Sequence, residues 1–201
     1  MSITTVSVKN RFMTLKAIAA ITLVVAVVTG CQDSNRPATA STNAAPPAGT
    51  NFASIPGEFA SPAATTQAGA EEAPIGACVK VTGKPWEAGM RAADCGGPDA
   101  THRIIQRVTT PDECVSDIDR RFYQNTAAGE WTACLDIYWA FTDCLSVTDD
   151  GTHRVSCGDQ SAPTRVRATK VVLDTSTADM CPEGGYDHPE RKFTICTETQ
   201  K

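Results

Sequence analysis

Apolar and polar residues alternate through the C-terminal part of the chain in a pattern that predicts strands. Trp131, Ala133, Leu135, Ile137 and Trp139 occupy every second position, the period of one buried strand face. Cys78–Thr82 and Cys144–Thr148 are short runs rich in β-branched residues, and 101–109 and 164–173 are longer ones. One stretch keeps a different period. Thr110-Pro111-Asp112-Glu113 reads as a helix start, with Thr at the N-cap, Pro in the first turn and Glu three residues after the cap. Cys114, Ile118 and Phe122 then share a face at helical spacing. A shorter helical counterpart is expected at 176–181, stopped by Pro182 and Gly184-Gly185. The expected fold is α+β: mostly antiparallel strands with short helices.

The N-terminus has a different pattern. Lys9, Arg11 and Lys16 precede an apolar stretch at 17–28, which ends in Val28-Thr29-Gly30-Cys31. These are the charged, apolar and small-residue parts of an export leader. The run is shorter than the roughly 20 apolar residues that a membrane span needs. Cysteine after Val-Thr-Gly is the pattern of a lipoprotein leader. The expectation is cleavage of 1–30 and a diacylglyceryl group on Cys31, which places the protein on the outer face of the cell membrane. Met13 offers an alternative start, since Met13-Thr14-Leu15-Lys16 supplies a positive n-region by itself.

Between leader and strands lies 31–75, dominated by Ala, Pro, Thr, Ser and Gly. Its large apolar side chains are Phe52, Ile55, Phe59 and Ile75. So little apolar surface does not offset the entropy of ordering, and the expectation is a disordered tether. A flexible coil of that length spans roughly 35 Å. Threonines beside prolines, as in Pro37-Ala38-Thr39 and Pro62-Ala63-Ala64-Thr65-Thr66, are candidate acceptors of O-linked sugar.

Cysteine spacing organises the rest. Of nine cysteines, one is Cys31 and eight follow, four in each of two halves, 76–140 and 141–201. The halves repeat local contexts in the same order. Cys78-Val79-Lys80-Val81-Thr82 matches Cys144-Leu145-Ser146-Val147-Thr148, and Ala93-Asp94-Cys95-Gly96 matches Val155-Ser156-Cys157-Gly158. His102-Arg103-Ile104-Ile105 aligns with Arg165-Val166-Arg167-Ala168, and Thr132-Ala133-Cys134-Leu135 with Thr194-Ile195-Cys196-Thr197. This reads as an internal duplication into two pseudo-repeated halves. No Cys-x-x-Cys occurs, so zinc and thioredoxin-type chemistry are poorly supported. An even count in an exported chain reads as disulfides. Eight cysteines admit about 105 pairings. If each half closes its own set, the simplest is sequential: Cys78–Cys95, Cys114–Cys134, Cys144–Cys157 and Cys181–Cys196. Loops of this size contribute about 3 kcal/mol each on the chain-entropy model.

Candidate chemistry is sparse. His102, His153 and His188 stand in unrelated contexts, with no His-Glu-x-x-His and no nucleophile motif. Asp117 and Asp119, two apart on the expected helix, would face different ways. Asp149-Asp150-Gly151 reads as a hairpin turn, since the spaced acidic ligands of a calcium loop are missing. Arg103, Arg107, Arg165, Arg167 and Lys170 recur on the matched strands. They could grip an anionic glycan or headgroup, but charge on solvated strand faces is the commoner use. All three basic residues of the leader and none of the 23 acidic residues are lost at cleavage. That leaves 15 basic residues and a net charge of −8, with no basic run for nucleic acid.

Cys134-Leu135-Asp136-Ile137-x-Trp139, Cys144-Leu145-Ser146-Val147, Arg154-Val155-x-Cys157 and Arg167-Ala168-Thr169 together resemble the LppU-type lipoproteins of mycobacteria and related actinobacteria. That resemblance covers about 78–198 and the lipobox, and implies an envelope location without a defined activity. The expected function is a non-enzymatic, membrane-anchored binding domain for an envelope protein, glycan or lipid. The alternative is a lipid or glycolipid carrier with an apolar cavity, and an envelope enzyme comes third. No catalytic residue, cofactor or metal site is expected.

Overall fold

The computed structural model describes residues 51–84, 87–140 and 142–201. The leader, Cys31 and 32–50 lie outside the described residues. Ten strands form two antiparallel sheets. The first contains β1 (Cys78–Thr82), β2 (Gly89–Ala93), β3 (His102–Val108), β4 (Arg120–Thr126) and β5 (Gly129–Ile137), in the order β2-β1-β3-β5-β4. The second contains β6 (Cys144–Thr148), β7 (Gly151–Val155), β8 (Arg165–Leu173), β9 (Gly185–His188) and β10 (Phe193–Thr199), in the order β7-β6-β8-β10-β9. The two orders are the same.

The agreement extends to single residues. Gln106 pairs with Cys134, and Lys170 with Cys196. Just beyond, the register slips in both sheets, between Ile104 and Gln106 on β3 and opposite Cys196/Thr197 on β8. Anchoring on these cysteines equates Arg103 with Arg167 and Ile104 with Ala168. The strand match therefore shifts by one from the sequence alignment above. Two-residue turns close the β4–β5 and β6–β7 hairpins. In each a threonine hydroxyl, Thr126 or Thr148, donates to the carbonyl of the glycine that follows the turn. Asp149-Asp150 is the second of these turns.

The disulfides join Cys78 to Cys95, Cys114 to Cys134, Cys144 to Cys157 and Cys181 to Cys196. Each lies within one sheet's set of elements.

The helical expectations fail. Among the described residues the only helical segment is a 3₁₀ turn at Pro111–Glu113, so the fold is mostly β rather than α+β. Thr110 makes no side-chain cap, although Glu113 does reach back to accept the Thr109 N–H at 2.9 Å. What overrides the helical spacing is the Cys114–Cys134 bond, which ties the chain to β5 immediately after the turn. Phe122 then enters β4 opposite Ala133 and packs on Trp131. The 176–181 stretch is turns and bends.

The tether expectation also fails for its C-terminal part. From Asn51 onward the segment is packed on the sheets. Phe52 and Ile55 are buried with Ile137, Trp139, Leu145, Ala168, Phe193 and Ile195 of the second core. Ala73 is buried with Val79, Val81, Ile104, Trp131 and Leu135 of the first. Ala60 lies over Ile105, Val108 and the Cys114–Cys134 pair. The main chain joins in as well: the Thr65 N–H donates to the Arg107 carbonyl at 2.9 Å, and the Arg107 N–H to the Ala63 carbonyl at 2.8 Å. Composition misleads here because small side chains suit a strap lying flat on an existing sheet. Gly69, at φ +72°, sits where any Cβ would overlap the Trp131 ring.

Candidate functional site

Of the five charged side chains expected on solvated faces, Arg107 and Arg165 are buried and Arg103, Arg167 and Lys170 are partly buried. Arg107 is buried, and its guanidinium donates to the carbonyls of Thr66 and Ala73. Arg103 donates to the Glu58 carboxylate at 3.0 Å and to the Gly76 and Ala53 carbonyls. Burial raises the Glu58 carboxyl, against the pull of Arg103. Arg165 is buried with Nε and Nη1 unpartnered. Arg167 fits the original expectation better, pairing at the surface with Glu198.

The densest cluster joins the two halves. Arg191, in the turn between β9 and β10, donates to the Asp117 carboxylate at 2.8 Å, to Asp136 at 2.5 Å and to the Glu58 carbonyl at 2.7 Å. Asp117 also accepts the main-chain N–H groups of Glu190 and Arg191. Burial disfavours the Arg191 charge, but the bonds and charges of Asp136 and Asp117 outweigh it and raise its pKa. His188 stacks on Phe193, with Nδ1 at 2.8 Å from the Asp117 carbonyl and from Arg191 Nη2. Its buried Nε2 has no partner. Arg154 makes a second junction, donating to the Ala100 carbonyl at 2.7 Å and the Tyr138 carbonyl at 2.5 Å, and pairing with Asp143 at 3.1 Å. Every one of these arginine contacts fixes one chain segment to another.

The three histidines do not converge. His102 is buried at the start of β3 against the Thr101 hydroxyl. Burial, and then the charge of Arg120, push it down to about 3. His153 is exposed on β7. His188 lies in the Arg191 cluster, but its Nδ1 meets the Asp117 main-chain carbonyl and the Arg191 guanidinium rather than a carboxylate. Among the described residues no group of histidine, cysteine, aspartate or glutamate is arranged to hold a metal ion.

An open groove of about 730 Å³ runs along β4, lined by Glu87, Asp119, Arg120, Arg121, Tyr123 and Gln124 among others. Strand alternation turns Phe122 inward and leaves Arg121 and Tyr123 outward; Tyr123 is 41% exposed. Arg120 donates to the Gly83 carbonyl at 2.7 Å, while its Nε is buried without a partner, and burial lowers its pKa. Asp119 opens onto the groove, and its carboxylate accepts the Ile137 N–H at 2.8 Å. Protein surrounds the carboxyl on its other sides. That desolvation, followed by the charge of Asp136, raises it to about 6. Sequence reasoning missed this groove because Glu87, in the β1–β2 connection, and 119–124, at the other edge of the sheet, meet only in the folded sheet, where Arg120 reaches the Gly83 carbonyl. Arg191 gave no local signal at all, since its partner Asp117 is 74 residues away in sequence.

Searches of family models, curated proteins and solved structures returned no match to this chain.

Proposed function

We propose that this chain is a cell-envelope lipoprotein, held to the outer face of the membrane by a diacylglyceryl group on Cys31, whose two-sheet domain is a non-enzymatic binding module. The groove along β4 carries the reading. It joins an exposed aromatic ring to guanidinium, carboxylate and amide groups on a strand braced through β5 by the Cys114–Cys134 bond. Such a mixed, open surface suits a polar envelope partner, whether glycan or protein. Its lining mixes Ala88, Pro111, Ile118 and Phe122 with charged groups and is open, unlike the closed apolar cavity that suits an acyl-chain carrier. The disulfides agree with an oxidising compartment outside the cytoplasm. The resemblance to LppU-type lipoproteins points to the same location. The matching strand orders and shared register slip support descent of the two halves from one duplicated unit.

Two experiments test the proposal. Metabolic labelling with a palmitate analogue is expected to mark the wild-type chain and not Cys31→Ala; equal labelling overturns the anchor. Capture of envelope fractions on the mature chain is expected to retain a component that Arg121→Ala/Tyr123→Ala loses. Equal retention by both proteins overturns the groove as the binding surface.

A further inference from the structure

The two sheets share a register but not a cover. Arg107 of β3 pairs with Ala133, and Val171 of β8 pairs with Ile195, each one step beyond its disulfide cysteine. On the first sheet the Arg107 N–H and C=O, which point away from β5, are both taken by the strap. Ala63 accepts at 2.8 Å, Thr65 donates at 2.9 Å, and Ala64 forms a parallel bridge with Arg107. Gln106 adds a side-chain bond to the Pro62 carbonyl at 3.2 Å. Under this cover Val108 is completely buried.

On the second sheet no described segment lies along the same edge. No main-chain bond joins the outward N–H and C=O of Val171 to any described residue. Val172, the equivalent of Val108, is only half-buried, and Leu173 beyond it is 45% exposed. Proteins blunt an open edge of this kind with charge, proline or a cover. Within 170–173 there is only Lys170, followed by Val171-Val172-Leu173.

We propose that the open edge of β8 at 170–173 receives an extended segment of another polypeptide, added in parallel to β8 by main-chain hydrogen bonds at Val171. The first sheet defines the chemistry of the occupant. A donor and an acceptor on one residue are matched by a main chain that offers a carbonyl and an N–H two residues apart, as Ala63 and Thr65 do. Glycans and lipids lack that pairing. Side chains lying over such an edge are small and uncharged, as in Pro62-Ala63-Ala64-Thr65. This is β-strand addition, in which the backbone supplies affinity and the flanking side chains supply selectivity.

The inference deepens the binding-module reading, and its test separates the two. The mature chain carrying Cys31→Ser is followed by NMR with amide hydrogen exchange. Without a ligand the Val171 amide is expected to exchange at least about 100-fold faster than that of Arg107, which the strap protects. A synthetic peptide of sequence Ser-Pro-Ala-Ala-Thr-Thr-Gln, that of 61–67, is expected to slow Val171 exchange and to shift resonances along 169–173. Val171→Pro, which removes the donor, is expected to abolish this. Leu173→Asp, at an exposed position, is expected to weaken it about tenfold, and it serves where the proline variant fails to fold. A Val171 amide as protected as Arg107 before peptide is added overturns the proposal, because the edge is then already occupied. So does a peptide that leaves 169–173 unshifted. Shifts confined to the β4 groove overturn the edge and leave the binding-module reading standing.

Discussion

Arg191 shows how much can depend on one side chain. It meets Asp117 and Asp136, both buried, and also reaches the Glu58 carbonyl. Removing it leaves two carboxylates inside the protein without their cation, a far larger cost than losing a surface pair. Arg191→Ala is therefore expected to destabilise the fold by about 3–5 kcal/mol, read from urea unfolding midpoints. Exposed Arg167, paired with Glu198, is the control; Arg167→Ala is expected to cost no more than about 1 kcal/mol. His102 makes a different prediction, in pH. Folded, its pKa lies at about 3, against 6.5 when unfolded. Between those values the unfolded chain binds a proton that the folded chain refuses. The contribution of the neutral ring is thus complete above 6.5 and is lost as pH falls through that window. Replacing it with asparagine is expected to reduce the stability lost between pH 7 and 4.5 by roughly 2–3 kcal/mol. An unchanged acid sensitivity would show that the ring accepts its proton within the fold.

Among the elements, the strap of 51–76 is the one whose role reverses the sequence expectation. It contributes Phe52 and Ile55 to one core and Ala73 to the other. It also completes the edge of β3 through Ala63 and Thr65. A chain beginning at Asn51 is expected to melt within a few degrees of the mature protein. A chain beginning at Gly76 is expected to lose several kcal/mol and its sharp transition, because two large apolar side chains leave cavities and Arg107 loses its carbonyl partners. Circular dichroism melts of the two lengths, both oxidised, decide the matter; equal melting temperatures would return the strap to the status of a tether. The 3₁₀ turn at Pro111–Glu113 carries the complementary lesson. Its local signals were real, since Glu113 does fold back on the chain. A short helix has little stability of its own, however, and the pull of β5 through Cys114–Cys134 overrode it.

At the scale of the whole molecule the two sheets repeat one plan but are held as one unit. The strap spans both cores, while Arg154 and Arg191 bond across the halves. Calorimetric and van't Hoff enthalpies are therefore expected to agree, as for a single cooperative unit. Two resolved transitions, one per sheet, would show the halves to be thermodynamically independent.

Sequence alone carried whatever depends on local pattern or on counting. Alternation located β5, and runs of β-branched residues located β1, β3, β6 and β8, because both are local patterns that a strand packed on a core requires. Cysteine order marked two halves with matching contexts, because each disulfide closes a short loop whose ends lie near each other in sequence. Tertiary structure decided the rest. Only the folded arrangement of the sheets and their loops brings Glu87 and Tyr123 to one groove, or Arg191 to Asp117 from 74 positions away. Only packing turns an Ala/Pro/Thr-rich stretch into a strap, since its worth lies in the surface beneath it rather than in its own composition. And only the register, counted from Cys134 and Cys196, reveals that one sheet edge is covered and that no described segment covers its counterpart.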